Sequence, residues 1–374
     1  MQQGGILIVD DNEINRVICS INLEEMRVPL HYAENGQQGL DLALKTIPDL
    51  ILLDIMMPVM DGFELLRRLK REEALSGIPV LMLSAKSETD SVVKALELGA
   101  NDYLKKPFEA EEMVARVKTL LRSRYLEKQI QEDLVTGAAM QRKFLTDSGT
   151  ATHLLGEAGI QTEIYNKPYG SISGDFYYAY PLLQNGIGVF LGDSCGHGLP
   201  AALISMRIIG FLQQIVKENP GPADILSRLN NDLYGLLPAA QFVAGSCLAF
   251  SANSCTISSA AQPYPVLLTD KGLEEIHLDG LPLGMRPDNV YQESSIEMNH
   301  GDRLIIYTDG VIEATDWQEA YYGKKGLYGC LSTNSQTASL QGLKDVILED
   351  LHHFCKNAPF DDDQTIILFE RIRI

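Results

Sequence analysis

Three carboxylates in the first third of the sequence lie where predicted strands end. Asp10 and Asp11 follow one short apolar run, and Asp54 follows another. Because the carboxyl ends of parallel strands meet at one edge of a sheet, we expect the three acids to share a pocket. Carboxylates this close repel one another unless a hard cation such as Mg²⁺ lies between them. The three residues therefore predict a magnesium site.

A hydroxyl and a lysine belong to the same predicted sheet edge. Ser84 ends a third apolar run, and its hydroxyl can contact a phosphoryl oxygen. Lys106 stands in a Lys-Pro pair after a further run and offers a positive charge to the same group. Together with the acids, these residues indicate an aspartate that can be phosphorylated.

The elements that must position these residues alternate along residues 1–120. Short apolar runs alternate with amphipathic helical stretches, which predicts an α/β fold with a doubly wound, five-stranded parallel sheet. The predicted strands cover residues 6–9, 30–33, 50–53, 80–83 and 102–104. The predicted helices cover residues 15–26, 36–45, 62–73, 87–98 and 110–121.

The order of these motifs in residues 4–122 resembles the CheY-like receiver family. That family has an acidic pair, a phosphoacceptor aspartate, a serine or threonine and a Lys-Pro pair, as this sequence does. The resemblance implies that Asp54 accepts phosphate from a sensor histidine kinase and helps Asp10 and Asp11 hold one Mg²⁺. It also implies that Ser84 and Lys106 contact the phosphate and that the burial of Tyr103 changes on activation.

A second set of acids lies in glycine-rich turns of the C-terminal half. Several adjoin apolar runs, which would hold their carboxylates rigidly at strand edges. Acids that converge without lysine or arginine partners are strongly destabilising unless cations lie between them. Oxygen ligands favour Mg²⁺ or Mn²⁺ over zinc, and two such ions suit hydrolysis of a phosphate ester. The acids are Asp175, Asp193, Asp309, Asp362 and Asp363.

Strand-like runs and a few helices surround this second set, which predicts an α+β sandwich of sheets flanked by helices. The predicted strands cover residues 187–191, 242–250, 256–260, 265–268, 303–307 and 364–370. The predicted helices cover residues 200–216, 223–236 and 339–356.

Five motifs in this half resemble the SpoIIE-like branch of the PPM (type 2C) serine/threonine phosphatases. They are SGDFY (173–177), DSCGHGLPAAL (193–203), GLPLG (280–284), YTDGVIEA (307–314) and DDQT (362–365). The resemblance implies a β-sandwich fold and two Mn²⁺ or Mg²⁺ ions. Asp193 would bridge both ions, with the Ser194 carbonyl on one of them. Asp309 and Asp362 would complete the other ion, Asp175 would act through bound waters, and Asp363 would be a supporting or additional ligand.

The sequence departs from that family pattern at two places. Ser173 stands where a glycine is usual, and Ser194-Cys195 replace a more typical pair, but no carboxylate is lost. We therefore expect activity to survive. His197 has two interpretations, either a proton donor that contacts phosphate or a residue that shapes the loop. Cys195 is either an oxidation-sensitive thiol or an inert one.

Composition limits the class of protein. A formal charge of −19, from 50 acidic and 31 basic residues, repels nucleic-acid backbones and argues against a DNA-binding output domain. The six cysteines show no zinc spacing, so we expect reduced thiols and a cytoplasmic protein. We expect no signal peptide and, since no apolar run approaches 18 residues, no membrane span.

The helical pattern continues to about residue 144 and becomes highly charged. Leu126, Ile130 and Leu134 recur every four residues, which indicates either a homodimer through paired helices or a helix packed on its own domains. The expected organisation is a receiver domain at 1–122, a helical linker at 123–150 and a phosphatase domain at 151–374.

The sequence therefore leads to a hypothesis of a phosphatase controlled by a receiver. Phosphorylation of Asp54 would change the linker helix and, through it, the loop and helix of residues 193–216. By family resemblance, the substrate would be a phosphorylated anti-sigma-factor antagonist. The alternative is a catalytically silent adaptor that binds a regulatory protein through a phosphatase-like fold.

Overall fold

The computed structural model describes residues 4–84, 89–145, 148–183, 186–196, 198–238, 241–335, 337, 339–356 and 360–372. The chain divides into two compact units, one ending at Glu132 and the other beginning at Asp133. Separate hydrophobic clusters fill the two units, as expected of independent domains. The finer domain limits at residues 122 and 150 stay a prediction.

The first unit is built around five strands. Its elements are β1 (Ile6–Val9), α1 (Glu13–Leu23), β2 (Leu30–Ala33), α2 (Gly36–Thr46), β3 (Leu50–Asp54), α3 (Gly62–Arg71), α4 (Glu73–Ser76), β4 (Val80–Ser84), α5 (Thr89–Glu97), β5 (Asp102–Lys105) and the start of α6 (Ala110–Phe144). All strand pairs are parallel, in the order β2-β1-β3-β4-β5. The predicted doubly wound α/β fold is confirmed.

The sheet of the first unit is apolar on both faces because helices cover both. Ile6 and its neighbour Leu7 belong to two different core clusters, one on each face. Side-chain caps fix the helix starts: Asn12 accepts a backbone N–H at the start of α1, and Asp61 does the same for α3. These caps set where each strand-end loop turns into a helix, directly beside the predicted acids.

Helix α6 is a single element of 35 residues, which confirms that the helical pattern continues to Phe144. Val117 is buried in the core of the first unit, and Ala138 is buried in a cluster of the second unit. Gly137 lies where a Cβ would come 3.2 Å from Cδ1 of Ile172. The glycine therefore allows close packing in the second unit, despite its low helix propensity.

The second unit is an antiparallel sandwich. Its elements after α6 are α7 (Ser148–Glu157), β6 (Ile160–Lys167), β7 (Asp175–Pro181), β8 (Ile187–Ser194), α8 (Leu199–Ile215), α9 (Pro222–Leu233), β9 (Val243–Phe250), β10 (Ser254–Ala260), β11 (Val266–Thr269), β12 (Gly272–Glu275), β13 (Glu293–Glu297), β14 (Arg303–Tyr307), α10 (Asp309–Ile312), α11 (Gly323–Thr333), α12 (Leu340–Cys355) and β15 (Gln364–Arg371).

Two five-stranded sheets form this sandwich, in the orders β13-β10-β9-β8-β7 and β12-β11-β14-β15-β6. Leu248 of the first sheet and Ile367 of the second lie in one buried cluster, so the sheets pack face to face. Helices α8 and α9 pack on the first sheet, and α11 and α12 pack on the second. The predicted sandwich flanked by helices is confirmed.

Several elements of the second unit were missed by the sequence patterns. The strands β12 and β13 are short, polar edge strands, whose pairing rather than hydrophobicity defines them. Helix α11 contains three glycines and is stabilised by packing on its neighbours rather than by propensity. The other missed elements are β6, β7, α7 and α10.

One helical stretch, Leu199–Glu218, is long and apolar enough to cross a membrane by length and composition alone. Polar residues such as Arg207 interrupt it, so a search for an unbroken apolar run does not find it. Ile208 and Leu212 of this stretch are buried in the core of the second unit, as in the core helix of a globular domain.

Candidate functional site

The first unit brings Asp10, Asp11 and Asp54 together at the carboxyl edge of its sheet. One oxygen of each residue lies within 4.8 Å of the others. Asp10 and Asp54 are buried, whereas Asp11 is exposed to solvent. A site of oxygen ligands with one open side suits a hard cation that retains water molecules.

Lys106 provides the positive charge in this pocket. Its Nζ lies 2.6 Å from Oδ2 of Asp10 and 2.5 Å from Oδ1 of Asp54. Burial raises the pKa of Asp54, and the contact with Lys106 opposes that rise. Burial lowers the pKa of Lys106, but its two carboxylate partners outweigh burial and raise it. The ammonium group therefore stays charged and offsets part of the negative charge.

Ser84 and Tyr103 lie on the strands next to this pocket. Ser84 is the buried last residue of β4, one position beyond Leu83, which pairs in register with Asp54. Tyr103 lies on β5 opposite Met82 and is half-buried against the core. These positions agree with the expected pocket, whereas the roles of both residues stay predictions. Residues 85–88, which follow Ser84, lie outside the described residues.

The acids of the second unit lie where its two sheets meet. Asp175 begins β7 and pairs in register with Asp193 on β8, in one sheet. Asp309 begins α10 directly after β14, and Asp362 and Asp363 directly precede β15, in the other sheet. Strands β14 and β15 pair with each other, so their acids lie at the same end of the sandwich.

Two threonine hydroxyls connect the sheets at this point. Oγ1 of Thr308 and Oγ1 of Thr365 each donate a hydrogen bond of 2.7 Å to Oδ2 of Asp175. Neither threonine is among the residues predicted from the sequence, although Thr308 directly precedes Asp309 and Thr365 ends the DDQT motif. A hydroxyl beside an acidic motif is the signal that would have identified both.

Asp363 holds the backbone that carries Asp175. Its Oδ1 accepts the N–H of Tyr169 at 2.7 Å, and its Oδ2 accepts the N–H groups of Gly174 at 2.5 Å and Asp175 at 3.4 Å. The residue is 2% exposed. Because both oxygens are bonded to backbone, the geometry favours a supporting role for Asp363 over direct metal ligation.

The acids influence one another strongly. Burial raises the pKa of Asp175 to about 7, and the charges of Asp363 and Asp309 contribute to the rise. Burial also raises the pKa of Asp193 well above its ordinary value, and the charges of Asp175, Asp309 and Asp362 add to it. In the described residues, no lysine or arginine forms an ion pair with Asp175, Asp193 or Asp309. Such a group favours cations.

Glu313 belongs to the same electrostatic group and was not singled out from the sequence. Partial burial raises its pKa, and the charges of Asp309 and Asp362 raise it further. Among the described residues, only the acids of the first unit bring three ligand oxygens within 4.8 Å of one another. The described acids of the second unit do not come that close to one another.

The loop after β8 approaches the site closely. A Cβ at Gly174 would lie 2.9 Å from the carbonyl oxygen of Ser194, so the glycine leaves room for that carbonyl. Cys195 is half-buried and has a free thiol. His197 lies outside the described residues, and its proposed contribution stays a prediction.

Gln141 of α6 is a further residue that the sequence did not indicate, because it lies in a stretch that resembles any charged helix. The side chain is 3% exposed. Its Nε2 donates hydrogen bonds to the carbonyl oxygen of Ser173 at 2.7 Å and to Oγ of Ser205 at 3.0 Å. Gln141 thus connects α6 both to the segment before Asp175 and to α8.

Family comparisons assign the two units to a receiver domain and a SpoIIE domain. Residues 6–118 match the family described as the response regulator receiver domain. Residues 184–372, about half of the chain, match the family described as stage II sporulation protein E (SpoIIE). The chain belongs to the SpoIIE family and carries an N-terminal receiver domain.

Two curated proteins are similar to about a third of this chain. The master transcriptional regulator RpaA of Synechocystis is 46% identical over 117 residues, which are 31% of this chain and 48% of RpaA. The phosphate regulon regulator PhoB of Pseudomonas aeruginosa is 48% identical over 117 residues, 31% of this chain and 51% of PhoB. The chain therefore spans about half the length of these relatives.

Two solved structures resemble the second unit in fold. The SiaA-PP2C domain of Pseudomonas aeruginosa has a TM-score of 0.58 at 20% identity and covers 66% of this chain and 98% of that one. The RsbU and RsbW domains of Rv1364c from Mycobacterium tuberculosis have a TM-score of 0.50 at 17% identity. The match covers 57% of this chain and 60% of that one. At these identities the likeness shows the fold alone.

Proposed function

We propose that the chain is a response regulator in which phosphorylation of Asp54 controls a metal-dependent phosphatase of phosphoserine or phosphothreonine proteins. The observation that carries the proposal is the group of acids at the meeting point of the two sheets. Their mutual repulsion favours divalent cations, and all of them except Asp175 lie within residues 184–372, which match SpoIIE. A catalytically silent adaptor would have no use for such a group.

Two Mn²⁺ or Mg²⁺ ions would be held by Asp193, Asp309, Asp362 and the Ser194 carbonyl, all of them oxygen donors. Such ions supply an activated water and stabilise the departing oxygen of a phosphate ester. Asp175 accepts two threonine hydroxyls, which orient its carboxylate toward the site. Asp363 fixes the backbone on which Asp175 stands.

The enzymatic part of the proposal is tested by hydrolysis of 4-nitrophenyl phosphate with and without Mn²⁺. We expect turnover that requires the metal and falls by at least about a hundredfold in Asp193→Ala, because the metal ions lose one of their carboxylate ligands. Asp232→Ala, which removes an exposed carboxylate from α9, serves as the control. Equal rates for Asp193→Ala and wild type would contradict the proposal, and no turnover at all would favour the adaptor.

Control by the receiver is proposed to pass through α6. Its first half contributes Val117 to the core of the first unit, and Gln141 near its end bonds the segment that precedes Asp175. A change in this helix would therefore act on Asp175 and on the loop and helix of residues 193–216. Switching of this kind requires a two-state element rather than a continuous path.

The partners follow from the same proposal. A sensor histidine kinase would supply the phosphoryl group to Asp54, with Mg²⁺ bound beside it. The substrate would be a phosphorylated anti-sigma-factor antagonist, in keeping with the resemblance to the SpoIIE-like phosphatases. The acidic charge argues against nucleic acid as a partner, and we place the protein in the cytoplasm rather than in a membrane.

A further inference from the structure

A short hairpin of the second unit, residues 314–322, begins and ends at the wall of one cavity. The cavity has a volume of about 450 Å³ and is lined by Asp309, one of the proposed metal ligands. Glu313, just before the hairpin, and Lys324, two residues after it, line the same cavity. The 314–322 hairpin therefore lies beside the proposed metal site.

The backbone of the 314–322 hairpin is held by hydrogen bonds at its base and at its tip. At the base, the N–H of Tyr322 donates to the carbonyl oxygen of Ala314 at 2.8 Å. At the tip, Oδ1 of Asp316 accepts the N–H groups of Gln318 at 2.8 Å and Ala320 at 3.0 Å. A loop that is ordered before a partner arrives lowers the entropic cost of binding.

The hairpin exposes two aromatic side chains. Trp317 is 67% exposed and Tyr321 is 68% exposed, more than any other phenylalanine, tyrosine or tryptophan that the structure describes. Nζ of Lys356 lies 5.9 Å from the centre of the Trp317 ring, a contact that leaves most of the indole in water. Tryptophan and tyrosine are enriched among the residues that contribute most to protein interfaces. The pair is therefore typical of an interaction surface.

The size of a protein interface indicates what covers these side chains. Trp317 follows Glu313 by four positions, so even an extended chain places the two residues within about 14 Å of each other. A typical interface buries about 800 Å² per partner, which for a circular patch means a radius of about 16 Å. A folded protein whose phosphorylated residue entered the cavity would therefore reach Trp317, whereas a small aryl phosphate would stay within the cavity.

We infer that Trp317 and Tyr321 form a docking surface for the phosphorylated substrate protein. The inference rests on the proposed phosphatase function and adds a substrate class, namely a folded protein with an apolar patch next to its phosphorylated residue. The two rings remove that patch from water while the phosphate reaches the metal site. Affinity gained outside the cavity then distinguishes this protein from other phosphate monoesters.

The experiment uses the full chain with Mn²⁺ and compares 4-nitrophenyl phosphate with a bacterial anti-sigma-factor antagonist that carries phosphoserine. We expect the ratio of kcat/KM for the phosphoprotein to kcat/KM for the aryl phosphate to fall about tenfold in Trp317→Ser. Trp317→Phe retains an aromatic ring and should keep most of the wild-type ratio. Leu183→Ser is the control and should keep all of it, because Leu183 is 72% exposed and follows β7 at the end opposite to Asp175.

A fluorescence measurement gives a second, independent readout. Trp317 is the single tryptophan of the chain, so tryptophan emission reports on the hairpin alone. A tryptophan-free form of the phosphorylated antagonist, added to Asp193→Ala to slow its turnover, should shift the emission to shorter wavelength as the indole leaves water. Free phosphoserine should leave the emission unchanged.

An unchanged substrate ratio in Trp317→Ser, or an emission that does not shift with the phosphoprotein, would overturn the inference. A phosphoprotein that wild type hydrolyses no better than the aryl phosphate would do the same. So would a change in the sedimentation of Trp317→Ser, since the hairpin would then bind a second copy of the chain. Absence of aryl phosphate turnover by wild type would instead contradict the proposed function.

Discussion

At the scale of single residues, the second site depends on a carboxylate kept in an unusual state. Asp175 is 1% exposed, and its burial, together with the charges of nearby acids, raises its pKa to about 7 from an ordinary value of 3.8. Two threonine hydroxyls act in the opposite direction because they stabilise the ionised form. The balance between these effects determines how readily the site accepts cations near neutral pH.

The raised pKa of Asp175 predicts a pH-dependent stability in chelator. Because the folded state keeps a proton that the unfolded state loses, the free energy of unfolding should fall as pH rises between about 4 and 7. The limit for one carboxyl group is about 1.4 kcal/mol per pH unit. Asp175→Asn should remove this dependence. The measurement is the free energy of unfolding by denaturant for wild type and variant, and the difference between the two proteins is compared at pH 5 and pH 7. A difference that does not change with pH would contradict the prediction.

The hydroxyl of Thr365 is predicted to affect both stability and the Mn²⁺ concentration that turnover requires. Thr365→Val should lower stability by about 1–3 kcal/mol and raise the Mn²⁺ concentration needed for half-maximal turnover, because Asp175 loses a buried donor. Thr365→Ser keeps the hydroxyl and is the matched control. The measurement is a Mn²⁺ titration of aryl phosphate hydrolysis, and identical titrations for the valine and serine variants would show that the hydroxyl is not required.

At the scale of elements, the acids are placed by backbone segments that pack very tightly. A Cβ at Gly310, in α10, would lie 2.1 Å from the carbonyl oxygen of Asp363 and 3.4 Å from the side chain of Asp362. The glycine therefore permits the turn after β14 to touch the segment that precedes β15. This contact links two of the acidic motifs directly.

We predict that Gly310→Ala destabilises the second unit by about 1–3 kcal/mol, since the backbone must move to admit the methyl group. Turnover should fall as well, because the same movement displaces Asp362. Gly329→Ala in α11, where a Cβ would meet nothing within 4 Å, should be neutral or stabilising by up to about 1 kcal/mol. Thermal unfolding of both variants checks the prediction. Equal stability of the two variants would contradict it.

The sequence predicted the elements whose hydrophobic pattern is strong, such as the buried strands β1 and β3 and the long α6. It did not predict β12 and β13, because a short polar edge strand is defined by its partner and not by its own residues. For the sites, acidic motifs were visible, but the donors that orient them were not. Gln141 lies 32 residues from Ser173, its hydrogen-bond partner, and only the fold brings them together.

At the scale of the whole molecule, α6 leaves an apolar stripe in solvent. Leu126 and Ile130 are 52% and 57% exposed, whereas Leu134 packs against a cluster of the second unit. We propose that the exposed part pairs with its twin in a homodimer, the first of the two arrangements that the sequence allowed. Leu134 instead packs within its own chain, which is the second of the two arrangements.

The dimer is predicted to dissociate when a charge enters the stripe. Ile130→Glu should convert the protein to a monomer in sedimentation equilibrium, because a charged side chain in an apolar helix interface is not compensated. Gln131→Glu adds the same charge at the next position, also exposed, and should leave the dimer intact. A wild-type protein that sediments as a monomer at micromolar concentration would exclude this arrangement.

The most direct test of control by the receiver compares phosphatase rates in three states of the full chain. The states are untreated wild type, wild type with beryllium fluoride and Mg²⁺ as a phosphoryl mimic on Asp54, and Asp54→Ala with the same additions. A phosphoserine protein is the substrate, with Mn²⁺ constant. We expect the mimic to change the wild-type rate by about fivefold or more, as for a typical allosteric coupling, and to leave Asp54→Ala unaffected. Equal rates in all three states would contradict control by the receiver.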